Sequence, residues 1–133
     1  MDSIKLWLDD IRPAPEGYIW CKSVYDVIKC IWTFERSLFT TKWEYDTADM
    51  PIFSIYPMNR DALQKQLDGY RIELIDCDHD LGDYAKDGGD GVKLLDWLEE
   101  TGRNYPIRIH SANAVGVQNM RRIIQRNGWK EVK

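Results

Sequence analysis

Apolar residues recur along this chain in two rhythms. Short runs rich in β-forming residues lie at Ile4-Lys5-Leu6-Trp7-Leu8, Tyr18-Ile19-Trp20-Cys21, Ile72-Glu73-Leu74-Ile75-Asp76-Cys77 and Pro106-Ile107-Arg108-Ile109, and each predicts a strand. Longer segments carry apolar residues at helical spacing. Val24, Val27, Ile28, Ile31 and Trp32 mark one such face, and Ser23-Val24-Tyr25-Asp26 opens it with a sequence close to a capping box. Val92, Leu94, Leu95 and Leu98 mark a second helix, beginning at Gly91 and stopped by Gly102. The third runs from Val115 to Asn127, with Gly128 in the position that ends helices in a left-handed turn, and Trp129 to Lys133 reads as a last short strand. Strands alternating with helical segments of this length predict βαβ units and a largely parallel sheet.

Two stretches break the alternation. Arg12-Pro13-Ala14-Pro15-Glu16-Gly17 joins the first two strands and is too rich in proline for a helix interior. The stretch from about 36 to 70 reads as an insertion, with a hairpin of Lys42–Tyr45 and Ile52–Tyr56 followed by a helix from an Asn59 cap to Leu67. At 133 residues the whole chain, insertion included, is expected to form one domain over residues 1–133. No run of apolar residues is long enough to span a bilayer, and the acidic start Met1-Asp2-Ser3 does not read as a secretory signal. Three cysteines without a C-x-x-C pair suit a reducing compartment, so the expected location is the cytoplasm.

Net charge is −4, which argues against a protein that coats nucleic acid, but its distribution is uneven. From Thr101 onward seven Lys and Arg residues oppose one acid, Glu131, giving +6 there and −10 over the first hundred residues. Such asymmetry steers anions toward the basic third, or it marks no more than a solvated basic helix.

The chemistry-bearing residues fall after the strands, where open parallel sheets bind ligands. Asp9 and Asp10 follow the first strand; adjacent carboxylates repel and call for a hard divalent cation, unless they serve as a turn pair. Asp78, His79 and Asp80 follow the third, with D-x-D spacing that aims both acids to one side and the histidine elsewhere. Asp76 lies within that strand, where an acid is costly to bury without a partner. A solvated turn accounts for Asp80 but not for Asp76. His110 and Ser111 follow the fourth strand, so both histidines of the chain sit at neighbouring strand ends, where they suit an acid–base pair for ester hydrolysis. Arg12 is a candidate phosphate clamp or a counter-ion for Asp9 and Asp10, and Ser111 a donor to phosphate oxygen. Asn113 reads as a helix cap or a ligand contact, and Gly88-Gly89-Asp90-Gly91 as a turn, since its acids would repel an anion.

These motifs resemble the response-regulator receiver, a flavodoxin-like fold with a five-stranded, mostly parallel sheet. The resemblance implies Mg²⁺ or another divalent cation at Asp9, Asp10 and Asp78, with Asp78 as phosphoacceptor and Lys133 at about the distance of the receiver lysine. Leu6–Gly17, Asp78–Gly82 and Ile107–Asn113 are more narrowly similar to the cyclic-phosphate processing receiver family, across about residues 4–34 and 71–127. That family implies action on a phosphate-bearing small molecule or a 2′,3′-cyclic RNA end, with no membrane partner. His79, His110 and Asp78 would be catalytic, and Arg12, Ser111, Asn113 and Asp80 would bind substrate. A phosphoacceptor domain using Asp78 and a non-catalytic binding module are the alternatives. Relative to a receiver, the proline loop replaces the first helix and the sequence stops before a fifth. Both would cover one sheet face, on which Lys5, Glu73 and Arg108 fall, so either the insertion or a second copy in a homodimer is expected to cover it.

Overall fold

A computed structural model describes residues 2–37 and 70–133. Strand β1 (Asp2–Leu8) is followed by β2 (Tyr18–Cys21), α1 (Val24–Ser37), β3 (Tyr70–Cys77), a 3-10 turn (Gly82–Lys86), α2 (Gly91–Glu100), β4 (Ile107–Ile109) and α3 (Ala114–Asn127). The four strands form one parallel sheet in the order β2-β1-β3-β4. The expected hairpin at 42–56 and the helix capped by Asn59 lie outside the described residues.

The predicted fifth strand is a correction. Glu131 makes an isolated parallel bridge to Ile107, through Ile107 N–H to the Lys130 carbonyl at 3.0 Å and Val132 N–H to the Ile107 carbonyl at 2.8 Å. The chain end meets β4 at that one bridge, so it adds no fifth ladder to the sheet. The described sheet is therefore four-stranded.

Burial follows the two sequence rhythms. Leu6, Leu8, Ile75, Cys77 and Ile107 are fully buried on one sheet face beneath Val27, Ile31, Leu94, Leu95, Leu98 and Met120. Helix α2 packs against both α1 and α3, so the described helices stand in a row on that face. Helix α1 begins as its sequence predicts, with Asp26 N–H donating to Ser23 Oγ at 3.1 Å. Helix α3 is capped by Asn113 Oδ1, which accepts from Gly116 N–H at 2.9 Å, and ends in Gly128 at φ +69°. The turn Asp87–Gly89 docks on the start of α1, where Tyr25 N–H donates to the Asp87 carbonyl at 3.2 Å.

The opposite sheet face is polar and aromatic. Trp7, Asp76 and Arg108 stand in register across three strands, and alternation turns all three away from the helices. An irregularity between Ile4 and Lys5 sets Ile4 opposite Ile72 and Lys5 opposite Leu74, leaving Glu73 as the extra residue. Lys5 Nζ approaches the Glu73 carboxylate at 3.9 Å, and Arg108 Nε approaches Asp76 at the same distance.

Candidate functional site

The strand ends build two polar groups, one on each side of the sheet, with a cleft between their carboxylates. Residue parity decides the sides. Ile107 belongs to the core and Ile109 packs against it, so Arg108 and His110 turn to the helix-free face; Cys77 is in the core, so His79 turns toward the helices.

On the helix-free side His110 is held at every edge. Its Nδ1 lies 2.6 Å from Asp76 Oδ1 and its Nε2 lies 3.0 Å from Asp9 Oδ2. The Trp7 indole stacks on the imidazole at 3.9 Å with the planes 8° apart. Trp7 is in turn fixed by an Nε1–H bond to the Arg12 carbonyl at 2.9 Å. Both carboxylates are buried, Asp76 at 2% and Asp9 at 1% exposure. Burial opposes a charge on the ring, but its hydrogen bonds to Asp76 and Asp9 and their negative charges outweigh it, so the His110 pKa rises above its usual 6.5. A ring flanked by two carboxylate acceptors donates from both nitrogens only as imidazolium.

Asp9 is the hub of this group. Burial would raise its pKa, but N–H donation to Oδ1 from Arg12 at 2.7 Å and Ile11 at 2.9 Å, together with His110, holds it below the usual value. The stiff loop predicted from Pro13 and Pro15 thus binds Asp9 through its backbone. Asp9 is also strapped to β2, its N–H donating to the Cys21 carbonyl at 3.1 Å and its own carbonyl accepting Trp20 Nε1–H at 2.7 Å.

On the helix side His79 Nδ1 lies 2.7 Å from Asp80 Oδ1, and Asn113 Nδ2–H donates to the same oxygen at 3.0 Å. The hydrogen bonds from His79 and Asn113 hold the Asp80 carboxyl below its ordinary range. The His79 ring lies flush on α3 at Gly116, where an added Cβ would come within 2.5 Å of the ring. Asn113 is therefore both a helix cap and a partner of the strand-end acid.

Between the groups lies a cleft of about 510 Å³, lined by Asp9, Asp10, Ile11, Arg12, Asp78, Asp80, Gly82, Ser111 and Ala112. The D-x-D pair Asp78 and Asp80 both reach it, as the spacing predicts. Asp78 accepts its neighbour's N–H at 2.8 Å, and Ser111 lines the same cleft. Burial and the nearby Asp9 charge still raise the Asp78 pKa. Neither imidazole is among the lining groups: His110 stands behind Asp9 and His79 behind Asp80. The structure thus gathers the expected acids, Arg12 and Ser111 into one cleft but does not bring the histidines together as a pair. Lys133 lies elsewhere, its ammonium 3.4 Å from Glu131 and largely exposed.

The acids suit a divalent cation. Ligand atoms of Asp9, Asp78 and His110 lie within 4.8 Å of one another, as do those of His79, Asp80 and Asp90. In the first group His110 Nε2 is engaged with Asp9, and three of the four Asp9 lone-pair positions are taken. Asp78 and the one remaining position on Asp9 are the oxygens of that group that suit a hard ion, whereas Asp10 lines the cleft outside the clustered ligand atoms.

Trp7 escaped the sequence reading, although its parity with Asp9 on β1 and its place opposite Asp76 mark it as part of the same face.

A parallel sheet of order β2-β1-β3-β4, with acids at its C-terminal strand ends, defines a receiver-like α/β protein. The chain belongs to the cyclic-phosphate processing receiver domain family, whose model matches residues 46–126. The match includes Asp76, Asp78, His79, Asp80, His110, Ser111 and Asn113, whereas Asp9, Asp10 and Arg12 precede it. Among solved structures the chain is similar to the Legionella pneumophila response regulator LqsR, with 14% identity and a TM-score of 0.45. That similarity covers 99% of this chain and 38% of the other. A comparison with curated proteins found no match. No described helix is long and apolar enough to cross a membrane.

Proposed function

We propose that the cleft opens a cyclic phosphate, of a nucleotide or an RNA 2′,3′ end, by hydrolysis. Family membership implies a role in cyclic-phosphate processing. The observation that carries the hydrolytic reading is the buried Asp76–His110–Asp9 array behind a cleft that also presents Asp10, Arg12, Asp78 and Ser111.

Each group has a task that its surroundings suit. Four carboxylates would repel a phosphate, so the substrate needs a cation beside it; a divalent ion held by Asp78 would supply that charge and polarise the phosphoryl oxygens. Arg12 and Ser111 bind the remaining phosphate oxygens. Asp78 accepts the proton of the attacking water through the oxygen not given to the ion. The new P–O bond forms to that water and one ring P–O bond breaks. The departing ribose oxygen takes a proton from imidazolium His110, passed across the Asp9 carboxylate that separates Nε2 from the cleft. The products are a phosphomonoester and a free hydroxyl, and solvent returns the proton from Asp78 to His110. Asp76 and Trp7 orient the ring. His79, Asn113 and Asp80 set the opposite wall, with Asp80 available to the substrate's hydroxyls.

The test is turnover of 2′,3′-cyclic nucleotides and RNA ends with Mg²⁺ or Mn²⁺, read as phosphomonoester by ³¹P NMR. His110→Gln is expected to lower the rate by about 10²–10⁴-fold while circular dichroism remains unchanged. Wild-type protein inactive on all these substrates would remove the proposal; binding seen as a thermal shift without product would leave a binding module in its place.

One observation favours a second reading, phosphoryl transfer to Asp78. Ser111 lines the same cleft as Asp78, where its hydroxyl would meet a phosphoryl group on that carboxylate. Lys133, paired with Glu131, is not positioned to assist. A small phosphodonor with Mg²⁺ should add one phosphoryl mass to wild-type protein but none to Asp78→Asn, and an unchanged wild-type mass eliminates this reading.

A further inference from the structure

Away from the cleft floor, the end of β2 and the middle of α1 bring two thiols together. Cys21 Sγ and Cys30 Sγ are 3.8 Å apart although nine residues separate them in sequence. Cys21 is buried, whereas Cys30 is only partly so and can meet a small oxidant. The third thiol, Cys77, is fully buried within the sheet.

We propose that Cys21 and Cys30 form a reversible disulfide under mild oxidation, and that closing it acts on the cleft through the strap between β2 and Asp9. Cys30 is the more exposed of the two, so it meets the oxidant first and is the attacking thiol. With hydrogen peroxide as oxidant, the Cys30 thiolate attacks one peroxide oxygen: an S–O bond forms, the O–O bond breaks, and hydroxide leaves to become water. Cys21 then attacks the Cys30 sulfenic sulfur. An S–S bond forms, the S–O bond breaks, and the departing hydroxide takes the Cys21 proton. Overall two thiols lose two electrons and two protons, and one peroxide becomes two waters. A dithiol returns the pair to the reduced state by exchange.

The two sulfurs are in van der Waals contact, well beyond the S–S bond length of about 2.05 Å, so closure must move at least one of the two backbones or rotamers. The carbonyl of Cys21 accepts the Asp9 N–H, and the neighbouring Trp20 indole donates to the Asp9 carbonyl. Any shift of the β2 end is therefore delivered to the carboxylate hub behind the cleft.

The test treats the full chain with dilute hydrogen peroxide, then measures intact mass under denaturing, alkylating conditions. The expected result is loss of two hydrogens with one thiol left to alkylate, mapped by proteolysis to Cys77, and full reversal by dithiothreitol. Cys30→Ser should lose the mass change, and Cys77→Ser should keep it. A wild-type protein that retains three alkylatable thiols, that only gains oxygen, or that links between chains overturns the proposal. The Trp20 indole N–H resonance is expected to move on oxidation and return on reduction. An unmoved resonance in the oxidised protein would overturn the link to the cleft.

Discussion

At the scale of single residues, His110 concentrates the chemistry. Its raised pKa makes the charged ring a source of stability. That contribution is fully present below the unfolded value of 6.5 and is lost as pH rises through the higher folded value. Titration of the ring by NMR is expected to give a midpoint above 6.5, and Asp76→Asn should lower it. The same substitution leaves the buried ring with one carboxylate fewer, and denaturant unfolding should register a loss of roughly 3–5 kcal/mol. A midpoint unaffected by Asp76→Asn would show that the 2.6 Å contact does not set the ring's charge. Asp76 was visible in the sequence as a mid-strand acid in need of a partner. Trp7 was not, because aromatic stacking depends on cross-strand register, and here the register is offset by the extra residue Glu73.

Among the elements, the junction of β3 with α2 is the tightest. Gly91 N–H donates to the His79 carbonyl at 2.7 Å, and a methyl added at Gly91 would run into the Asp78 backbone carbonyl. Backbone cannot give way as a flexible side chain can, so Gly91→Ala is expected to cost at least about 3 kcal/mol in denaturant unfolding. Gly116→Ala meets the His79 ring instead. It should cost about 1–3 kcal/mol and shift the His79 resonances, and an unshifted ring would mean that α3 does not fix this side chain. Most elements were legible because their apolar spacing and caps agree: Ser23, Gly102, Asn113 and Gly128 stand where α1, α2 and α3 start or stop. The exception is the final strand. Its residues are β-forming, but they meet β4 at one bridge only, and how far two backbones run alongside each other is set by tertiary packing rather than by local preference.

For the whole molecule, the described helices cover one sheet face, while the other carries Lys5, Trp7, Asp76 and Arg108. Trp20, near the site, remains 39% exposed. Cover by the segment between α1 and β3, or by a second copy, is the arrangement that the sequence leads us to propose. Limited proteolysis within 38–69 is expected to reduce solubility or promote association, and a nicked chain that stays soluble and monomeric would count against cover by this segment. Within the basic C-terminal third Arg121 pairs with Glu131 and Arg126 with Glu99, at 2.7 Å each, so these two charges are engaged within the molecule. Arg126 and Asn127 hold Glu99 down to about 2, so its contribution to joining α2 and α3 is present above 4.5 and lost as pH falls through about 2.

The sequence by itself determined the parallel α/β architecture, the strand ends as the place for chemistry, and the acids, Arg12 and Ser111 that line the cleft. Local spacing suffices for these, since period and caps are properties of contiguous residues. Only the tertiary structure decided what the histidines contact. Strand parity already assigns them to opposite faces, through Ile109 before His110 and Cys77 before His79. That parity becomes a function only when packing chooses which face the helices cover. Whether Asp76 and Asp9 meet across one ring is likewise settled by strands distant in sequence, where register and a single extra residue outweigh any local preference.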